Sequence, residues 1–172
     1  MFRWYQNAER YYVYLSDVSV GTEDGQAHVE WESSFCSSRW FSRGWTLQEL
    51  LAPKIIEFYC RDGVRLDSKV SLLQKITGVT GMATNALENR PLTKFSVDER
   101  LKWKETGQTT VEEDMAYCLF GIFDVSIPLM YGEGQTKAMN RLLREIELPK
   151  QDQSLLLGEM VVTTCSAVLI SL

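Results

Sequence analysis

SRWFSRGWTLQELLAPKIIEFYCR, residues 38–61, reads as a tryptophan-bearing loop, a short helix and a strand. Thr46-Leu47-Gln48-Glu49 has capping-box spacing: the threonine hydroxyl accepts from the third amide, and the glutamate reaches back to the threonine's own amide. Leu47, Leu50 and Leu51 follow at helical spacing, and Pro53 ends the helix. Residues 55–61 (IIEFYCR) make the strand. Upstream, residues 11–18 (YYVYLSDV) are a β-branched and aromatic run ending in Ser-Asp, which reads as a buried strand. Downstream, residues 66–77 carry Val70, Leu73 and Ile76 on one side of a helix. Strand, helix, strand and helix in succession predict an α/β fold with a small parallel sheet.

Around this unit the chain is less regular. Phe2, Trp4, Tyr5 and Ala8 put an apolar stripe on a short first helix, and residues 19–34 are polar, acidic and glycine-bearing, a loop or insertion. The second half reads as a helical subdomain over residues 96–147. Ser96–x–x–Glu99 and Thr110–x–x–Glu113 are two more capping boxes. The second opens a helix through Met115, Cys118, Leu119 and Ile122, which gives way to a Pro/Gly-punctuated loop at residues 124–134. A helix over 136–147 gathers Ala138, Met139, Leu142, Leu143 and Ile146 on one face. After Pro149 the composition changes, and residues 155–172 are small, apolar and β-branched without amphipathic period.

Composition narrows the function classes. The 172 residues are 45% hydrophobic and 24% charged with a net charge of −5, which suits a globular domain. Lys and Arg are scattered among acids, so the clustered cations that duplex binding needs are missing. A single histidine, His28, excludes sites built on two imidazoles. The four cysteines are spaced 24, 58 and 47 residues apart with no C-x-x-C pair, a pattern expected of reduced thiols in a cytoplasmic protein. Residues 1–10 contain no apolar core of signal-peptide type, and the most apolar run, residues 160–172, is 13 residues long. A spanning helix needs about 20.

Few residues point to chemistry. Glu112-Glu113-Asp114 offers adjacent carboxylates for a metal or for acid–base work, but such a run opening a helix ordinarily complements the macrodipole. The loop SIPLMYGEGQT has two glycines ahead of a helix, a weak anion-binding cue, and reads better as a structural turn. His28 reads as a solvated loop residue. Glu49 either completes the capping box or stands at a ligand site, since it follows Arg39, Arg43 and two tryptophans near the carboxyl edge of the sheet.

FRWYQNA, YYVYLSDV, SRWFSRGWTLQELLAP, EDMAYCLFGIFDVSIPLMYGEG and LLREIE resemble the fungal heterokaryon-incompatibility (HET) domain family over residues 1–154. The resemblance implies a role in fungal self/non-self recognition ending in programmed cell death. It also implies partners of NACHT, WD-repeat or ankyrin type and self-association, with no nucleic acid and no membrane span. Against the family pattern the upstream strands are missing, so residues 1–154 read as a partial domain of low stability, followed by a divergent apolar tail at 155–172. The HET domain is thought to be similar to TIR domains, some of which cleave NAD. Trp45-Thr46-Leu47-Gln48-Glu49-Leu50 matches the TIR pattern W-C-x-x-E-L except at Thr46.

On that resemblance Glu49 is the catalytic candidate and Arg39 and Trp45 the substrate-binding candidates. NAD would be a substrate, and no resident cofactor or metal is implied. Because the TIR-type site draws on the first strand, inactivity is expected of this chain. Arg39, Trp40, Trp45 and Glu49 are expected to converge near the carboxyl end of the strand at 11–16. Two readings follow: a module that signals through protein contacts, and an NAD-cleaving hydrolase acting through Glu49.

Overall fold

In the computed structural model, which describes residues 2–21, 30–105 and 107–148, strands β1 (Tyr11–Leu15) and β2 (Ile56–Cys60) run parallel. Tyr11 stands opposite Ile56 and Leu15 opposite Cys60. The expected α/β pairing is present. The connection between the strands includes helix α2 (Glu30–Cys36), a 3-10 turn (Arg39–Ser42) and helix α3 (Thr46–Leu51). Pleating places Val13, Leu15, Ile56, Phe58 and Cys60 on the covered face, while Tyr12 and Tyr14 stand more than half exposed on the other. On that open face Tyr12 meets Tyr59 edge-on, and Arg10 and Arg65 flank Glu57 at 3.0 and 3.7 Å.

The sheet is mixed, with strand order β1-β2-β3, because β3 (Arg65–Ser68) adds antiparallel to β2. The expected small sheet with its parallel pair thus gains an antiparallel edge strand, and the helix expected from residue 66 is corrected. Gly63, at φ +75°, reverses the chain after β2, and the Cys60 amide donates to Val64 O. Residues 65–68 are then spent on pairing, the helix starts only at α4 (Leu73–Thr80), and Val70 is exposed.

The core collects where the crossover packs on the covered face. Phe35 meets Trp31, Phe41 and Phe58 edge-on at 6.2, 5.1 and 5.1 Å, and Trp40 meets Phe58 at 5.7 Å. The loop expected over 19–34 is corrected here: its end is helical in α2, whose Trp31 and Phe35 are one turn apart and buried. The tail at 155–172 and His28 lie outside the described residues.

The second half is helical as expected, in short pieces: α5 (Thr84–Leu87), α6 (Val97–Lys102), α7 (Asp114–Tyr117), α8 (Phe120–Phe123) and α9 (Gln135–Glu147). Ser96 caps α6 by accepting from the Glu99 amide at 3.1 Å. The single helix expected through 115–122 is broken between α7 and α8. Helix α1 (Phe2–Asn7) packs against α8 so closely that a Cβ on Gly121 would lie 2.2 Å from Phe2 Cβ. Trp4, expected on the buried stripe of α1, is instead 87% exposed.

Lys69, just after β3, is 2% exposed and pairs with no described carboxylate. Its Nζ donates to Leu50 O, Pro53 O and Asn89 Oδ1 at 3.2, 3.1 and 3.2 Å, tying the end of α3 to the turn after α5. Burial pushes this ammonium down from 10.5 to about 8. Between those values the unfolded chain holds a proton that the folded chain has shed, so stability rises with pH there. Burial also raises the Cys118 thiol to about 12, which acts in the opposite direction above its ordinary 9. Lys69→Met leaves that second contribution in place. The stability of the parent minus that of Lys69→Met is therefore expected to increase by about 3 kcal/mol as pH rises from about 8 past 10.5. Urea melts across that range check it, and a constant difference would contradict it.

Candidate functional site

Helix α3 is buried on every side, and its polar side chains find partners inside the protein except at Gln48 Oε1, which has no hydrogen-bond partner among the described residues. Gln48 Nε2 donates to Cys118 O at 2.7 Å. Thr46 makes no capping box: its Oγ1 donates to Trp40 O at 2.6 Å, because the preceding loop folds over the helix start. Thr110 likewise caps nothing, and α7 begins four residues later. Glu49, 6% exposed, accepts from Trp40 Nε1 at 3.0 Å.

Two tyrosines complete the surroundings of Glu49. The Tyr5 and Tyr11 rings meet edge-on at 5.3 Å. Burial first, and the Glu49 charge second, push both phenols above their ordinary 10.0, while Arg43 draws them back. The group is thus a carboxylate facing an indole N–H, two protonated phenols and a guanidinium. Such a set holds a buried negative charge in place.

A cavity of about 450 Å³ opens at the carboxyl end of β1, lined by Tyr14, Ser16, Asp17, Arg39, Trp40 and Arg43 among others. This is the edge where open α/β sheets place ligands. Asp17 accepts from the Ser38 hydroxyl and the Arg39 amide, both at 2.8 Å, and Arg39 Nε stands 3.6 Å from it. Burial pushes the Asp17 carboxyl up, but those hydrogen bonds outweigh it and the net shift is downward. The opposite wall is a strap at residues 107–109, tied by Gly44 N to Gln108 O at 2.8 Å and Gln108 N to Ser42 O at 2.6 Å. Gly44 is required there, since a Cβ would lie 2.6 Å from Thr109 Cγ2.

The residues expected to converge are only partly brought together. Trp40 and Glu49 are in contact, and Arg39 and Trp40 line the cavity. Glu49 lies behind the cavity wall, against Tyr11 at the amino end of β1, and is not a lining residue. Trp45 turns away, and its Nε1 donates to Asp114 Oδ2 at 3.2 Å. Trp45 and Glu49 are one helical turn apart, and the Glu49 amide donates to Trp45 O at 3.3 Å, yet their side chains take different partners: the indole goes to Asp114 and the carboxylate to Trp40. Asp17 and the Gln108 strap were missed, and Arg43 was noted only as a sequence neighbour of Glu49. The Ser-Asp ending of the first strand was the signal available for Asp17.

The acidic run and the glycine loop, read separately in the sequence, form one device. Glu113 Oε1 accepts from the Gly132 and Gly134 amides, both at 2.8 Å, so the anion in the glycine loop is the protein's own carboxylate. Asp114 accepts from Trp45 and from the Tyr131 hydroxyl at 3.1 Å. The Tyr117 hydroxyl accepts from the Met130 amide and donates to Glu133, and Arg141 pairs with Glu133 and donates to Pro128 O. Pinned this way, the loop holds Leu129, Met130 and Tyr131 outward, 56%, 53% and 60% exposed. Among the described residues no group of three or more His, Cys, Asp or Glu is placed to hold a metal ion, and no helix is long and apolar enough to cross a membrane.

A parallel strand pair, a fully buried crossover helix and a polar cavity at the strand edge define a small α/β module. Over 146 residues this chain is 50% identical to the vegetative incompatibility protein HET-E-1 of Podospora anserina, a match covering 85% of this chain and 11% of that protein. The chain therefore spans about a ninth of the length of this curated relative and is homologous to that segment of a vegetative incompatibility protein. No known family profile matches the chain, and no solved structure matches it.

Two expectations test these arrangements. Trp40→Phe removes the indole donor from a buried carboxylate and is expected to cost about 2–3 kcal/mol in urea unfolding. In a cycle with Glu49→Gln the coupling is expected to reach about 1 kcal/mol, and strict additivity would contradict the contact. The Gly134 and Gly132 amides hold the Glu113 carboxyl below its ordinary 4.5, so the stability it contributes is complete above that value and lost as pH falls through the lower folded one. The loop at 126–134 is expected to resist proteolysis at pH 5 and to open only under stronger acid, whereas Glu113→Ala opens it at neutral pH.

Proposed function

We propose that this chain is a signalling module of fungal vegetative incompatibility that promotes programmed cell death through protein contacts. The observation that carries this reading is the 50% identity with a vegetative incompatibility protein. The pinned loop supports it as a contact surface: three neighbouring large side chains are exposed on a loop fastened by the buried Glu113 carboxylate, so little ordering is left for a partner to impose. Regulators of NACHT, WD-repeat or ankyrin type, and further copies of the chain, are the partners this reading names, in the cytoplasm.

One observation favours a second reading, NAD cleavage. Trp40 both lines the cavity and holds Glu49, which sets a carboxylate one side chain behind a cavity containing Arg39 and Arg43. Carboxylates stabilise the oxocarbenium-like centre that forms when a glycosidic bond breaks. In this reading Arg39 binds phosphate and Trp40 has to move to admit substrate.

The two readings separate in one experiment. Expression of the chain in fungal cells is expected to reduce viability, and Leu129→Ser/Met130→Ser/Tyr131→Ser to abolish the effect with unchanged circular dichroism. Nicotinamide release from NAD by the purified chain, lost in Glu49→Gln, would instead establish the enzymatic reading. Full killing by the triple variant would overturn the loop's role.

A further inference from the structure

A second cavity, of about 410 Å³, shares no residue with the one at the strand edge. Four cationic side chains from four different places line it: Arg3 on α1, Lys54 after α3, Arg90 after α5 and Arg100 on α6. None of them forms an ion pair with any described carboxylate, and Asp124 is the single acidic residue in the lining. In a chain of net charge −5 this is a local reversal of sign. Uncompensated cations gathered around a concave surface repel one another and focus a positive potential into it.

Two of the walls are built in advance. Arg100 Nη1 donates to Ile122 O at 3.0 Å and its guanidinium stacks 4.4 Å from the Phe123 ring centroid, so its charge is fixed in position without a carboxylate. Asn89 stands in the left-handed region at φ 62° and is clamped there by the buried ammonium of Lys69, a fifth cation behind the wall. The rest of the lining includes the apolar side chains of Phe2, Pro91 and Leu92.

We infer that this cavity binds a phosphate-bearing organic anion, its phosphate held by Lys54, Arg90 and Arg100 and its organic part laid against Phe2 and Leu92. Guanidinium forks suit phosphate oxygens, and the lysine adds a mobile point charge. A soluble phosphorylated metabolite and a phosphorylated lipid headgroup present the same group.

The test uses the full chain. Calorimetric titration with pyrophosphate and with ATP covers the soluble source, and co-sedimentation with phosphatidylcholine vesicles with and without a phosphatidylinositol phosphate covers the lipid. Saturable binding to one of these probes is expected, weakening with added salt and falling about tenfold in Lys54→Gln/Arg90→Gln. Both replaced side chains are exposed, so folding is retained, and unchanged circular dichroism verifies it. Lys137→Gln, an exposed charge on α9 outside the cavity, is expected to bind like the parent. Absence of saturable binding to all probes, or equal losses in Lys137→Gln and the double variant, would overturn the inference.

Discussion

Burying all six residues of α3, polar ones included, is the constraint from which the rest of the structure follows. A buried carboxylate and a buried amide each cost several kcal/mol if left without partners. The chain answers by bending the loop before the helix over its start, so that Trp40 supplies a carbonyl to Thr46 and an indole N–H to Glu49. Gln48 reaches across to the α7–α8 turn. One short helix thereby joins the sheet, the aromatic core and the helical half. The 3-10 turn that makes this possible also brings Arg39 and Arg43 to the mouth of the strand-edge cavity.

Carboxylates serve the second half in the same way. Glu113 and Asp114 accept from backbone amides, an indole and a phenol. What they secure is a loop whose apolar residues face outward. A protein that exposes large side chains on a rigid support has reduced the entropy a partner must remove, and this links the local hydrogen bonding to the proposed signalling role.

Charge is distributed unevenly within a chain that is acidic overall. Sites of one sign arise because the fold brings residues far apart in sequence, such as Arg3, Lys54, Arg90 and Arg100, around one cavity. No window of the sequence shows such a cluster, and for this reason the composition argued only against nucleic acid and was silent on smaller anions.

Strands β1 and β2, α3 with its proline stop, the Ser96 cap and the amphipathic α9 were legible in the sequence, because each is set by side chains close together in the chain, and the parallel pairing of the strands followed from the strand–helix–strand order. The family-specific motifs were legible too, and the 50% identity agrees with them in pointing to vegetative incompatibility. The tertiary structure decided the rest. The Thr46 cap was lost to the Trp40 carbonyl, α7 began four residues after Thr110, residues 65–68 paired with β2 in preference to starting a helix, and the Trp45 and Glu49 side chains took different partners. It also decided that Glu49 sits behind the cavity wall and that the glycine loop holds an internal carboxylate. A local pattern fixes which hydrogen bonds a segment can make. Which of them it does make depends on what the distant chain offers once water has been removed, and that competition is settled only by packing.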